Sequence, residues 1–230
     1  MNSDLASLAA LNALLSGEEH DRARRFRFDE HRRRFIVARA TLRILLGRYL
    51  EKRGEEICFE YGPKGKPRLG GAGGGSELRF NISHSNDLAL MAFCLSEEVG
   101  VDIEAVREMD DTESILKNYF CPEEIEQWLS LPAQLRARGF FDCWTRKEAY
   151  IKAVGDGLSM PLNDFQVAFL PGEEPRIRMR NGDVETWSLF DISAAPDYAG
   201  ALAIRGSGWK VRCYTMSQSY SNWGTSSTVS

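Results

Sequence analysis

The stretch "GVDIEAV", residues 100–106, sets Asp102 and Glu104 two apart inside a run that otherwise reads as a buried strand. Side chains along a strand alternate between faces, so the two carboxylates point one way while Val101 and Ile103 point the other. Two like charges side by side raise each other's energy unless something cationic offsets them. The nature of that cation governs the reading of the residues around the strand.

The chain has 230 residues, 43% hydrophobic and 27% charged, an ordinary globular composition with room for one large domain or two small ones. No apolar run approaches membrane-spanning length. "LASLAALNALL" (5–15) lacks a positive flank and a cleavage site, so it reads as an amphipathic helix rather than a signal peptide, and the expected location is the cytoplasm. Cys58, Cys94, Cys121, Cys143 and Cys213 are odd in number, widely spaced and never in a CxxC pair, which argues for reduced thiols used mostly as small apolar fillers. His20, His31 and His84 show no HxxxH spacing, which argues against zinc.

A net charge of -4 conceals an asymmetry: residues 22–53 hold twelve Lys or Arg against three Asp or Glu. A basic segment on an acidic protein suits an anionic ligand better than general nucleic-acid affinity, although a solvated helix face would read the same way. Within it, Phe35, Ala38, Leu42, Leu45, Leu46 and Tyr49 recur at helical steps and predict one apolar face. Arg32, Arg39 and Arg43 lie on a stripe beside that face, either emerging at the rim of a cleft or snorkelling from the core edge.

Strand "ICFEY" (57–61) leads into a Gly/Pro-rich loop, "GPKGKPRLGGAGGG", which is not a Walker loop because no Gly-Lys-Ser/Thr closes it. Strands at "LRFNI" and "LALMAFCL" follow, then helices at "TESILKNYF", "PEEIEQWLS" and "QLRARGFFDCWTRKEAYIKAV", the last ending at Gly155 and Gly157. "DFQVAFL", "RIRMR", "VETWSLF", "AGALAIR" and "KVRCYTM" alternate as strands. This order predicts an α+β protein of two similar-sized halves, 1–100 and 101–216, without a visible internal repeat; the polar, Ser-rich 217–230 reads as a disordered tail.

In "WTRKEAYIK" (144–152), Trp144, Glu148 and Lys152 are spaced i, i+4, i+8 and share one side of a helix. Taken alone, Glu148 and Lys152 are a routine helix pair and Trp144 a core anchor. Together with Asp102 and Glu104, a third carboxylate on a facing helix completes an all-oxygen site for a hard divalent ion. Magnesium fits better than calcium: no EF-hand loop is present, and few carboxylates beside a lysine suit an ion shared with substrate phosphates. Lys64, Lys66, Arg68 and the basic segment would complete a polyphosphate pocket.

"GVDIE" followed 40 residues later by "WTRKEAYIK" resembles the GxDxE and WxxKEAxxK signatures of the Sfp-type 4'-phosphopantetheinyl transferases, and "GPKGKPRL" and "FNISHSND" match two further stretches of that family in order. "RRF" at 24–26 falls where the family has its N-terminal basic segment. The resemblance covers about residues 20–170. It implies transfer of the 4'-phosphopantetheine arm of coenzyme A to a serine of an apo acyl or peptidyl carrier protein, releasing adenosine 3',5'-bisphosphate. It implies two pseudo-symmetric halves, each a small mostly antiparallel sheet with helices, with the active site in the cleft between them. The enzyme is expected to be a monomer, with no nucleic-acid or membrane partner.

The resemblance further implies that Asp102, Glu104 and Glu148 hold Mg2+ and that Lys152 stabilises the departing phosphate. Glu148 is the first choice for the base that takes the carrier serine's proton, and Glu124 in "YFCPEE" the second; a metal-bound water is a third route. His84 is an implied contact to the 3'-phosphate of coenzyme A and Ser83 a neighbouring one, Lys66 a contact to its adenine or phosphates and Lys147 to the nucleotide. Arg22 is a further candidate, with Glu18 and Glu19 close by. Two rivals fare worse. A nuclease of the D…ExK kind needs glutamate and lysine two apart on a strand, whereas Glu148 and Lys152 are four apart in a helical pattern. A nucleic-acid-binding module on residues 22–53 lacks aromatic interleaving of a recognisable motif.

Overall fold

Residues 29–50 form the helix that the hydrophobic periodicity predicts, but its buried face is turned from the expected one. In the computed structural model, which describes residues 2–63, 65–155, 160–179, 186–192, 194–216 and 227–229, this helix is α3 (Asp29–Leu50), preceded by α1 (Asn2–Ala13) and α2 (Gly17–Arg24). Ile36, Arg39, Ala40, Leu42, Arg43, Leu45 and Leu46 are buried, while Tyr49 is 55% exposed. Two arginines can sit on the inner face because Glu19 meets them there. Arg43 Nε donates to Glu19 Oε2 at 2.7 Å, its Nη1 donates to the carbonyls of Gly54 and Ile57, and Arg39 Nε lies 3.5 Å from Glu19 Oε1. Glu19 also closes the capping box of α2 with Ser16. Arg39 and Arg43 therefore do not emerge at a rim; they tie α2 and the turn after α3 to the helix core.

Contacts divide the chain into two units, Met1–Glu77 and Leu78–Ser230. In the first, part of the Gly/Pro-rich connector is ordered where a loop was expected. β1 (Phe59–Tyr61) pairs antiparallel with β2 (Pro67–Leu69), and Gly65, at φ 79°, turns the chain between them. Lys64 lies outside the described residues.

The second unit holds the antiparallel pair β3 (Leu78–Ser85) and β4 (Leu88–Leu95), then β5 (Val99–Ala105). Helices α4 (Thr112–Tyr119), α5 (Pro122–Ser130) and α6 (Ala133–Val154) follow, and Gly155 at φ 84° ends α6 as its left-handed cap. Of the later strands, β6 (Phe165–Val167) pairs with β7 (Ile177–Met179), and β9 (Tyr198–Arg205) lies between β5 and β8 (Trp187–Asp191). β10 (Val211–Cys213) pairs with β11 (Ser227–Val229). Residues 217–226 of the tail lie outside the described residues; Ser227–Val229 form a strand where disorder was expected, with β-branched Thr228 and Val229 suited to it. Every strand pairing among the described residues is antiparallel, so the α+β class expected from the sequence is the observed one. No described helix is long and apolar enough to cross a membrane.

The core of the second unit forms where α6 lies on β5 and β9, around Phe140, Phe141, Tyr150, Ile151, Phe165 and Ala201. Gly100 fixes how close α6 comes. A Cβ there would overlap the Ala149 carbonyl oxygen and the Ala153 amide nitrogen and lie 2.9 Å from the Lys152 carbonyl carbon, all main-chain atoms that no rotamer can move aside.

Candidate functional site

Because Gly100, Asp102 and Glu104 alternate along β5, the face that receives α6 at Gly100 also presents both carboxylates toward it. From α6, Lys152 Nζ donates to Asp102 Oδ1 at 2.6 Å and to Ser83 Oγ at 3.0 Å. Ser83 in turn donates to Asp102 Oδ1 at 2.7 Å. Asp102 is 3% exposed, and its Oδ2 is buried without a hydrogen-bond partner. Glu104 Oε2 accepts from Ser85 Oγ at 3.0 Å and lies 3.8 Å from Arg107 Nη1. One face of β5, one of α6 and one of β3 thus meet around Asp102.

The charges remain incompletely balanced. Burial, with Asp102 adding to it, pushes the Glu104 carboxyl above its usual value, against the Ser85 hydrogen bond. Burial and then Asp102 push Glu148 up as well, against Lys152. Among the described residues no three His, Cys, Asp or Glu side chains stand close enough to hold a metal ion as they are placed; the Lys152 ammonium occupies one oxygen of Asp102 instead. The donor set nevertheless fits a hard divalent cation: it is all oxygen, it carries more negative charge than Lys152 offsets, and it includes the orphaned Oδ2 of Asp102.

A pH test follows from Glu148. The folded state grips this proton more tightly than the unfolded chain, whose glutamate has the usual value of 4.5. The associated stability is complete below that value and is lost as pH rises through the raised folded one. Glu148→Gln, always neutral, is therefore expected to melt higher than wild type in metal-free buffer at pH 7, with the gap closing as pH falls toward 4.5. A gap that stays constant across thermal melts over that range would mean that burial and Asp102 do not hold the Glu148 carboxyl above its usual value.

The structure does not bring Glu124 and Lys147 to this cluster, which corrects both expectations. Their side chains are wholly buried and paired at 2.8 Å. Glu124 Oε2 also caps α5 by accepting from Cys121 N, and Oε1 accepts from Val167 N. Lys147 spends its other two protons on the carbonyls of Leu162 and Phe165. One residue from Glu148 on α6, Lys147 points into the core beneath the 162–167 segment. Glu124, with both oxygens engaged and no exposure, has no route to a serine hydroxyl. His84 follows Ser83 on β3 and so projects to the opposite, exposed side of the strand. Lys66 and Arg22 belong to the first unit, where Arg22 lies over the Phe35 ring and the Lys66 carbonyl accepts from Gly62 N.

Sequence reasoning missed Asn81 and Ser85. Asn81, Ser83 and Ser85 form one period-two face of β3, aimed at β5: Val101 N donates to Asn81 Oδ1 at 2.9 Å and Ala105 N to Ser85 Oγ at 3.1 Å. The alternation N-x-S-x-S was legible in "FNISHS", but β5 as its acceptor was not. All five thiols are free, but only two are core fillers: Cys143 is pushed well up by burial and Cys121 up to about 12, chiefly by burial, whereas Cys94 and Cys213 are half-buried and Cys58 is exposed.

Residues 98–203 match the 4'-phosphopantetheinyl transferase superfamily, and residues 3–96 match the family described as 4'-phosphopantetheinyl transferase, N-terminal. The chain is similar to 4'-phosphopantetheinyl transferase HetI of Nostoc sp. strain PCC 7120, 40% identical over 205 residues, which cover 89% of this chain and 84% of that one. It is also similar to 4'-phosphopantetheinyl transferase psf-1 of Bacillus pumilus, 31% identical, covering 78% and 76% respectively. Among solved structures, a holo-(acyl-carrier-protein) synthase from Bacillus anthracis in complex with CoA matches at a TM-score of 0.41 and 19% identity, covering 48% of this chain and 96% of that one. With both family matches and relatives at this identity spanning most of its length, the chain belongs to the 4'-phosphopantetheinyl transferase superfamily.

Proposed function

We propose that transfer of the 4'-phosphopantetheine arm of coenzyme A to a serine hydroxyl of a carrier protein, the activity of the family, is served in this chain by Asp102, Glu104, Glu148 and Lys152. The observation that carries the residue assignment is the buried, unpartnered Oδ2 of Asp102 beside two carboxylates whose pKa values are pushed up. Asp102, Glu104 and Glu148 would hold Mg2+, which when bound offsets the charge of the coenzyme A pyrophosphate. Lys152, already on the rim of the cluster with its side chain partly exposed, neutralises charge on the departing phosphate. Ser83 holds that ammonium and Asp102 in register. Glu148, whose carboxyl burial and Asp102 push up in the metal-free protein, is the candidate to accept the serine proton, although a cation held there would lower that basicity. The carrier is an acyl or peptidyl carrier protein, and the chain acts as a monomer in the cytoplasm. His84, Lys66 and Arg22 remain candidate contacts to coenzyme A.

The test incubates the full chain with coenzyme A, Mg2+ and a panel of apo acyl and peptidyl carriers, reading intact mass. A gain of one phosphopantetheinyl group on at least one carrier, abolished by a chelator, is the expected result. Transfer that is unaffected by chelation would remove the metal assignment.

A further inference from the structure

Ser85 sits at the end of β3, immediately before Asn86, whose φ of 48° begins the turn into β4. Its hydroxyl has one proton and two lone pairs. A lone pair takes the Ala105 amide N–H at 3.1 Å, and the proton goes to Glu104 Oε2 at 3.0 Å. With the hydroxyl anchored to the main chain of β5, the donated bond has a fixed origin, so it fixes which way the neighbouring carboxylate faces. Asn81, two positions before Ser83 on the same face, makes only the main-chain half of this arrangement, holding Val101 N. The polar face of β3 thus divides its work: Asn81 holds β5 in place, Ser83 binds Asp102 and Lys152, and Ser85 does both jobs for Glu104.

We infer that Ser85 is the positioning residue for Glu104: its hydroxyl holds Oε2 and leaves Oε1 as the oxygen offered to a divalent cation. Side chains that orient a metal-binding carboxylate set affinity without touching the metal. The inference rests on the reading of Asp102, Glu104 and Glu148 as the cation's ligands.

The test is direct Mn2+ binding, followed by electron paramagnetic resonance on the full chain without coenzyme A, for wild type, Ser85→Ala, Ser85→Thr and Asp102→Asn. Ser85→Ala should weaken Mn2+ by about tenfold, the low end for a lost orienting partner. Ser85→Thr, which keeps the hydroxyl and suits a strand, should bind within about twofold of wild type. In the transfer reaction, the Ser85→Ala defect should appear in the Mg2+ concentration needed and vanish from kcat at saturating Mg2+. Undiminished Mn2+ binding in Ser85→Ala overturns the inference. So does a Ser85→Thr variant as weakened as Ser85→Ala, or a kcat that saturating Mg2+ does not restore, because either marks a merely structural role. Equal binding by wild type and Asp102→Asn would instead overturn the underlying reading, since that change leaves Ser85 untouched.

Discussion

Replacing Asp102 by asparagine is expected to lower kcat/KM for carrier modification by about a thousandfold or more, since a lost cation ligand at a phosphoryl centre removes several kcal/mol of charge stabilisation. The fold should survive the change. Asparagine keeps an oxygen for Ser83 and Lys152, whose side chain is partly exposed. It also relieves Glu104 and Glu148 of a neighbouring negative charge. The lost Lys152 pairing and this relief oppose each other, so metal-free stability should stay within about 1 kcal/mol of wild type. Steady-state kinetics with a thermal melt on the same preparation checks both halves. A variant that turns over normally would put the cation elsewhere, and one that unfolds would make Asp102 a structural residue.

Lys147 should show the converse. Lys147→Met leaves Glu124 as an unpaired buried carboxylate and deprives the Leu162 and Phe165 carbonyls of their donor. Breaking one side of a buried pair costs about 3–5 kcal/mol, which in a chain of this length lowers the melting temperature by about 10 °C. Adding Glu124→Gln to Lys147→Met removes the stranded charge and should recover a good part of the loss. If Lys147→Met instead weakened coenzyme A binding with an unchanged melt, the nucleotide-contact role implied by the family resemblance would be restored.

The two lysines of "KEAYIK" show what was legible in the sequence and what was not. Period two in "GVDIEAV" and period 3.6 in "WTRKEAYIK" placed Asp102, Glu104, Glu148 and Lys152 on faces that do meet, because each period fixes direction locally. Lys147 lies about 100° around α6 from Glu148, and whether that side meets solvent or core depends on β6 and α5, which come from elsewhere in the chain. Glu124 carried a local signal, an acid at the third position of a helix opened by Pro122, which describes a cap as well as it describes a base. Arg39 and Arg43 read as charges at a cleft rim or the core edge because their partner, Glu19, lies on a separate helix. Ser85 had a readable spacing and an unreadable target. What escaped the letters in each case was the long-range partner.

The contact at Gly100 gives this cluster a fixed gauge. Where α6 crosses it, main chain rests on main chain, so the separation of helix and strand is set there by atomic radii. Interfaces padded by side chains can open or close by rotamer changes; at this crossing there are no torsions to turn. The roots of Asp102 on one element and of Glu148 and Lys152 on the other are therefore held like the jaws of a locked caliper. Any adjustment to ions of different radius must come from the side-chain torsions beyond Cβ, while the backbone frame stays constant.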